Sequence, residues 1–179
     1  MPNATTPTLI AFSGLPGVGK TTIARDLARG LEALYLRVDS IEVALKNSGL
    51  RIHPAEDAGY QALIAIARDN LANGLTVIAD TVNPLQITRN WFARVALECK
   101  SNLLNVEVVC SDVEEHRRRV ENRIDQTQDH DLPTWEHVQN REFDVKVFRR
   151  RPRACGNVCD GRRLKTFTEG DTQELNRAR

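Results

Sequence analysis

Apolar residues fall along this chain in two alternating patterns. Thr8–Phe12, Leu34–Val38, Leu75–Ala79 and Leu103–Cys110 are short, nearly unbroken apolar runs, the mark of strands buried on both faces. Between them the spacing becomes helical. Ile23, Leu27 and Leu31 share a face within Lys20–Leu34. Tyr60, Leu63, Ile64, Ala67 and Leu71 form a stripe within Gly59–Asn73, which Gly74 ends. Pro84–Lys100 reads as a third helix, and Asp112 caps a charged fourth that runs to about Arg123. After a polar stretch, Asp125–Leu132, Pro133 and Thr134 open a helix holding Trp135, Val138 and Phe143. This alternation predicts a parallel α/β sheet with right-handed crossovers. A fifth strand is expected, and Cys155–Val158 is its weak candidate.

Composition narrows the setting. The chain has 179 residues, 41% hydrophobic and 27% charged, which suits one folded domain with its own core. It contains no apolar run long enough to span a membrane. MPNATTPTLIAF lacks the basic start of a secretion signal, so a cytoplasmic location is expected. The four cysteines form no disulfide framework, and Cys155 and Cys159 lack a recognised zinc spacing. A net charge of +1 gives no global pull toward nucleic acid or membrane. The charge is uneven, however: nine Lys/Arg stand against four Asp/Glu from Arg149 to Arg179. The expected division is therefore a core domain over residues 1–148, with a lid at about 117–133. A basic, loosely ordered tail follows over 149–179.

The chemistry begins at Gly14-Leu15-Pro16-Gly17-Val18-Gly19-Lys20-Thr21, which fits G-x-x-x-x-G-K-[ST] between a strand and a helix. Glycines let successive backbone N–H groups turn inward as an anion nest, and the helix N-terminus adds positive potential. The segment Gly14 to Thr22 (Thr22 included) is expected to cradle a nucleoside triphosphate. Lys20 would reach the outer phosphates, and the Thr21 hydroxyl would hold Mg²⁺. Neither DxxG nor NKxD is present, which excludes a switch GTPase; an LSGGQ segment and the length of a motor are also absent. What remains is a compact phosphotransferase. In open α/β sheets ligands sit beyond the carboxyl ends of the strands, where Asp39 and Asp80 follow the second and third runs. Asp39 is the candidate base for an acceptor hydroxyl, and Asp80 the candidate for metal or acceptor; helix capping is the alternative for both. Arg117, Arg118, Arg119 and Arg123 cluster before the polar stretch, with Arg119 and Arg123 on one face, suited to phosphate oxygens. Pairing with Glu114, Glu115 and Glu121 on a solvated face is the competing role.

The chain resembles the small P-loop kinases that include chloramphenicol phosphotransferase, polynucleotide 5′-kinase and zeta toxins, over about Leu9 to Asp144. VDSIEVAL (Val38–Leu45) is similar to the segment that carries the catalytic aspartate of the antibiotic kinase, and Asp39 matches it. NGLTVIADTVNP, with Arg89 and Trp91 downstream, resembles both kinases and implies that Asp80 and Arg89 lie near the acceptor. VVCSDVEEHRRRVENR puts Arg119 and Arg123 on the lid arginines, and LPTWEHVQNREFD resembles the helix after the lid. The implied fold is the adenylate-kinase-like sheet of order 2-3-1-4-5, and the implied cofactors are ATP and Mg²⁺. One departure is informative: Glu42 stands where polynucleotide kinases place a phosphate-binding arginine, which disfavours a nucleic-acid acceptor. The expected activity is transfer of the γ-phosphate of ATP to a small-molecule hydroxyl, catalysed by Asp39, Lys20, Arg119 and Arg123. The alternatives are a polynucleotide 5′-hydroxyl kinase and a nucleotide-binding, toxin-like regulator with incidental ATPase activity.

Overall fold

A computed structural model of the chain describes residues 6–52, 54–127, 132–141 and 162–166. The apolar runs become β1 (Thr8–Ser13), β2 (Leu34–Arg37), β3 (Val77–Asp80) and β4 (Asn102–Cys110). They are parallel to their neighbours, with Ile10 opposite both Ile78 and Leu104. A fifth strand, β5 (Arg162–Thr166), completes a sheet of order β2-β3-β1-β4-β5, the order the resemblance implies.

The fifth strand differs from expectation in place and direction. It lies within the basic tail and runs antiparallel to β4, pairing Val106 with Thr166 and Cys110 with Arg162. Cys155–Val158, the expected strand, lies outside the described residues, as does Phe143. The sequence of this strand, RRLKT, carries a single large apolar residue. No apolar run could have revealed it.

The crossovers are α1 (Lys20–Leu31), α2 (Val38–Lys46), α3 (Ala58–Ala72) and α4 (Gln86–Glu98), followed by α5 (Val113–Thr127) and the short α6 (Trp135–Gln139). Two layers of core flank the sheet. Leu63, Ile64, Ala67 and Leu71 of α3 pack with Phe92 and Val95 of α4 on one side. On the other, Ala24 and Ala28 of α1 bring the helix close to Ile10, Phe12, Val106 and Val108. The buried face of α1 is thus Lys20, Ala24 and Ala28, with Ile23 and Leu27 packed against the same core, while Leu31 is half exposed. Small residues let a helix approach the sheet, which an apolar count passes over. The expected helix from Lys20 to Leu34 stops at Leu31, since Glu32 turns left-handed and frees Leu34 for β2.

Parallel strands end together, so Ser13, Arg37 and Asp80 share one edge of the sheet. Among the described residues no helix is long and apolar enough to cross a membrane.

Candidate active site

The loop after β1 is built around two left-handed glycines whose missing side chains leave room for their neighbours. Gly14 has φ +136, and a Cβ there would lie 2.3 Å from the Val108 carbonyl oxygen of β4. Gly17 has φ +83, and its Cβ would meet the Val120 side chain of α5 at 2.6 Å. The Gly14 N–H donates to the Val82 carbonyl at 3.1 Å, tying the loop to the segment after β3. Gly19, also left-handed, turns the chain into α1, so Lys20, Thr21 and Thr22 occupy that helix's first turn. Thr21 is half-buried and Thr22 exposed.

Lys20 is buried, and its Nζ donates to the carbonyls of Gly14 (2.8 Å) and Leu15 (2.9 Å). Burial pulls its ammonium down to about 8 from 10.5, and the carboxylates of Asp80 and Asp39 partly restore it. The loop therefore holds a poorly hydrated cation facing two carboxylates. Anionic phosphate oxygens would complete it. Left-handed glycines, a lysine on the loop carbonyls and a helix N-terminus fit a triphosphate; the Thr21 hydroxyl and nearby Asp80 carboxylate are oxygen donors that suit Mg²⁺.

Asp80 is the last residue of β3 and is 3% exposed. Tyr35 of β2 donates its hydroxyl to Asp80 Oδ2 at 2.7 Å. Burial, and then this bond, push the Tyr35 phenol up to about 12. Asp39 is not a strand terminus, as the apolar run suggests: β2 stops at Arg37, and Asp39 stands in the first turn of α2. The N-cap position of α2 is Arg37, and the Asp39 carboxylate lies in the first helical turn beyond it. Arg37 donates to Asp39 Oδ2 at 2.5 Å, while the Arg37 Nε is buried and lies 4.0 Å from Asp80 Oδ2. One guanidinium thus stands between both candidate carboxylates. Across the cleft, Arg123 of α5 places a guanidinium nitrogen 3.9 Å from Asp39 Oδ2.

The arginine cluster divides. Arg123 reaches the site, whereas Arg117 pairs with Glu121 and Arg118 with Glu115 on the solvated face. Arg119 also leans on Glu115, at 2.7 Å. Those two arginines hold the Glu115 carboxyl down at about 2. Arg89 is buried on α4, and its Nε donates to the Asn83 carbonyl at 3.3 Å. Tyr60 accepts the Asn83 N–H at 2.9 Å and Thr88 donates to the Asn83 side chain, so Arg89 belongs to the brace of the loop after β3. Glu42, one turn beyond Asp39, packs against Gly59; burial and then Asp39 raise its carboxyl, with Arg141 opposing.

Three residues that sequence reasoning missed belong to this constellation. Tyr35 and Arg37 alternate on one strand, and only the pairing of Arg37 with Asp80 across β2 and β3 gives them partners. The third, His116, lies beneath the loop and is 6% exposed.

A P-loop on the central strand, with one carboxylate ending β3, another in the first turn of α2 and an arginine-bearing helix across the cleft, defines a nucleotide-binding protein of the P-loop type. An AAA domain family model matches residues 9–142, and the chain belongs to that family. No curated protein matches the chain. Among solved structures, a candidate kinase from Chloroflexus aurantiacus has a TM-score of 0.61 at 22% identity, covering 69% of this chain and 70% of that one. Kti12 from Chaetomium thermophilum, in complex with ADP-AlF3, has a TM-score of 0.58 at 26% identity, with 74% and 77% covered. The APS kinase CysC from Mycobacterium tuberculosis, in complex with AMPPNP and APS, has a TM-score of 0.52 at 19% identity, with 69% and 74% covered.

Proposed function

We propose that this protein transfers the γ-phosphoryl group of ATP to a hydroxyl of a small molecule, with Mg²⁺. The observation that carries the reading is the pair of carboxylates, Asp39 and Asp80, gathered by Arg37 beside the buried Lys20. Gly14, Leu15, Pro16, Gly17, Val18, Gly19, Lys20, Thr21 and Thr22 hold the triphosphate, chiefly through backbone N–H groups. Thr21 and Asp80 would hold Mg²⁺, which neutralises phosphate charge when bound. The acceptor oxygen attacks the γ-phosphorus, the bond to the β,γ-bridging oxygen breaks, and ADP leaves. Asp39 accepts the acceptor's hydroxyl proton, and Arg37 orients its carboxylate. Lys20 and Arg123 offset charge on the transferred group, and Arg119 joins them if it leaves Glu115.

Two features support a small acceptor over a polynucleotide. Glu42 adds a third carboxylate one turn from Asp39, an unwelcoming neighbour for a phosphodiester. The Mycobacterium tuberculosis neighbour is a kinase described with APS, a small molecule.

The test follows label from γ-labelled ATP and Mg²⁺ into pooled hydroxylated metabolites, with a 5′-hydroxyl oligonucleotide offered separately. Label is expected in a small molecule. Asp39→Asn should lower transfer by about 10²- to 10⁴-fold while leaving ADP affinity within a few-fold. Label on the oligonucleotide instead would make this a polynucleotide kinase. Free phosphate at one slow rate with every acceptor would favour the regulator.

A further inference from the structure

His116 stands outside the chemistry described above, yet it touches the centre of the nucleotide loop. It lies one turn into α5, is 6% exposed, and places its Nε2 2.7 Å from the Pro16 carbonyl oxygen. A carbonyl only accepts, so Nε2 carries the hydrogen of this bond. The ring is held from two sides. Trp135 of α6 meets it edge-on, with centroids 5.1 Å apart, and Gly17 lies beside its other edge, where a Cβ would be 3.4 Å away in ordinary contact. Val120, one turn further along α5, packs on Gly17 itself.

Peptide geometry gives this bond its consequence. In a trans peptide the carbonyl and the following N–H point in opposite directions. Anchoring the Pro16 carbonyl toward α5 therefore turns the Gly17 N–H the other way, into the concave side of the loop where phosphate oxygens would sit. Glycine at 17 lets this peptide plane rotate freely, so its orientation needs an outside hold. No other hydrogen bond to the Pro16 carbonyl occurs among the described residues.

We infer that His116 is a positioning residue for nucleotide binding: it orients the Pro16–Gly17 peptide so that the loop N–H is already aimed at the phosphates before they arrive. The inference rests on the reading of this loop as the nucleotide site. It predicts that affinity for the nucleotide depends on a donor at this point, beyond the volume of the ring.

His116→Gln and His116→Met make the test, because the two side chains have nearly the same size and only glutamine offers a donor near the Nε2 position. Mg-ADP affinity is measured by titration calorimetry on the full chain, alongside the melting temperature without nucleotide. His116→Met should bind ADP about tenfold more weakly than wild type, the effect of losing one buried hydrogen bond that aims a ligand-binding group. His116→Gln should recover to within about threefold, with the two variants melting within a few degrees of each other. If His116→Met does not fold, His116→Leu takes its place against the same glutamine variant. ADP affinity equal in the donor and non-donor variants would overturn the inference. Wild-type protein that binds no ADP at all would overturn the nucleotide site itself, which is a separate failure.

Discussion

Lys20 shows how a single residue is shaped for an absent charge. It sits on the Gly14 and Leu15 carbonyls, yet burial outweighs the attraction of Asp80 and Asp39 and lowers its pKa to about 8. An unfolded lysine keeps its proton to about 10.5. Between these values the unfolded chain binds more protons, so the lysine's contribution to stability rises with pH across that window. Below pH 8 the cost of burying the charge is present in full. Thermal melts of wild type and Lys20→Met should therefore diverge with pH. The wild-type melting temperature, relative to the variant, should climb from pH 8 to pH 10; a constant difference would mean that Lys20 keeps an ordinary pKa. Bound phosphates act in the opposite sense by stabilising the ammonium.

At the scale of elements, the loop between β1 and α1 is constrained by its neighbours as much as by its own sequence. Gly14 faces the backbone of β4, and strand backbone cannot yield without disturbing the sheet. Gly17 faces side chains, Val120 closely and the His116 ring at ordinary contact distance, and Val120 can shift by rotation. Chemical denaturation should separate the two. Gly14→Ala should cost about 3 kcal/mol or more, and Gly17→Ala about 1–2 kcal/mol, mostly from its left-handed backbone. Equal losses would show that the clash with Val108 is relieved.

This loop was legible in the sequence because its chemistry depends on local conformation: glycines at fixed offsets, then lysine and threonine. Helix α3 was legible for a similar reason, since Leu63, Ile64, Ala67 and Leu71 repeat at the helical period and all are buried. Arg37 and Tyr35 were not, because their partner Asp80 arrives by strand pairing that no local window contains. His116 reads as one more polar residue of a charged helix until α5 is laid against Pro16. Asp39 falls one element later than the apolar run predicts, because Val38 extends that run while beginning α2.

For the whole molecule, the sheet has an edge that depends on the far end of the chain. β5 pairs with β4 from Val106 to Cys110 and satisfies backbone groups that would otherwise face outward. Deleting residues 162–179 should uncover that edge. The shortened protein is expected to self-associate at concentrations where the full chain stays monodisperse, as measured by light scattering. If it stays monodisperse, the pairing with β5 is not what protects β4. The basic composition of the tail, the feature that made it look separate from the domain, is what an outermost strand needs.

The strand order carries a further consequence. β1 comes first along the chain yet lies at the centre of the sheet, so its two neighbours are made later, at residues 77–80 and 102–110. Contacts so distant in sequence are slow to form, because the chain must close long loops before they reward it. On a growing polypeptide the nucleotide loop therefore emerges early and waits. Its Gly14 N–H has no Val82 carbonyl to bond, and its Gly17 has no Val120 against it, until those later segments have been made and folded back. Competence to bind a nucleotide therefore waits on residues far beyond the loop itself, at least as far as Val120.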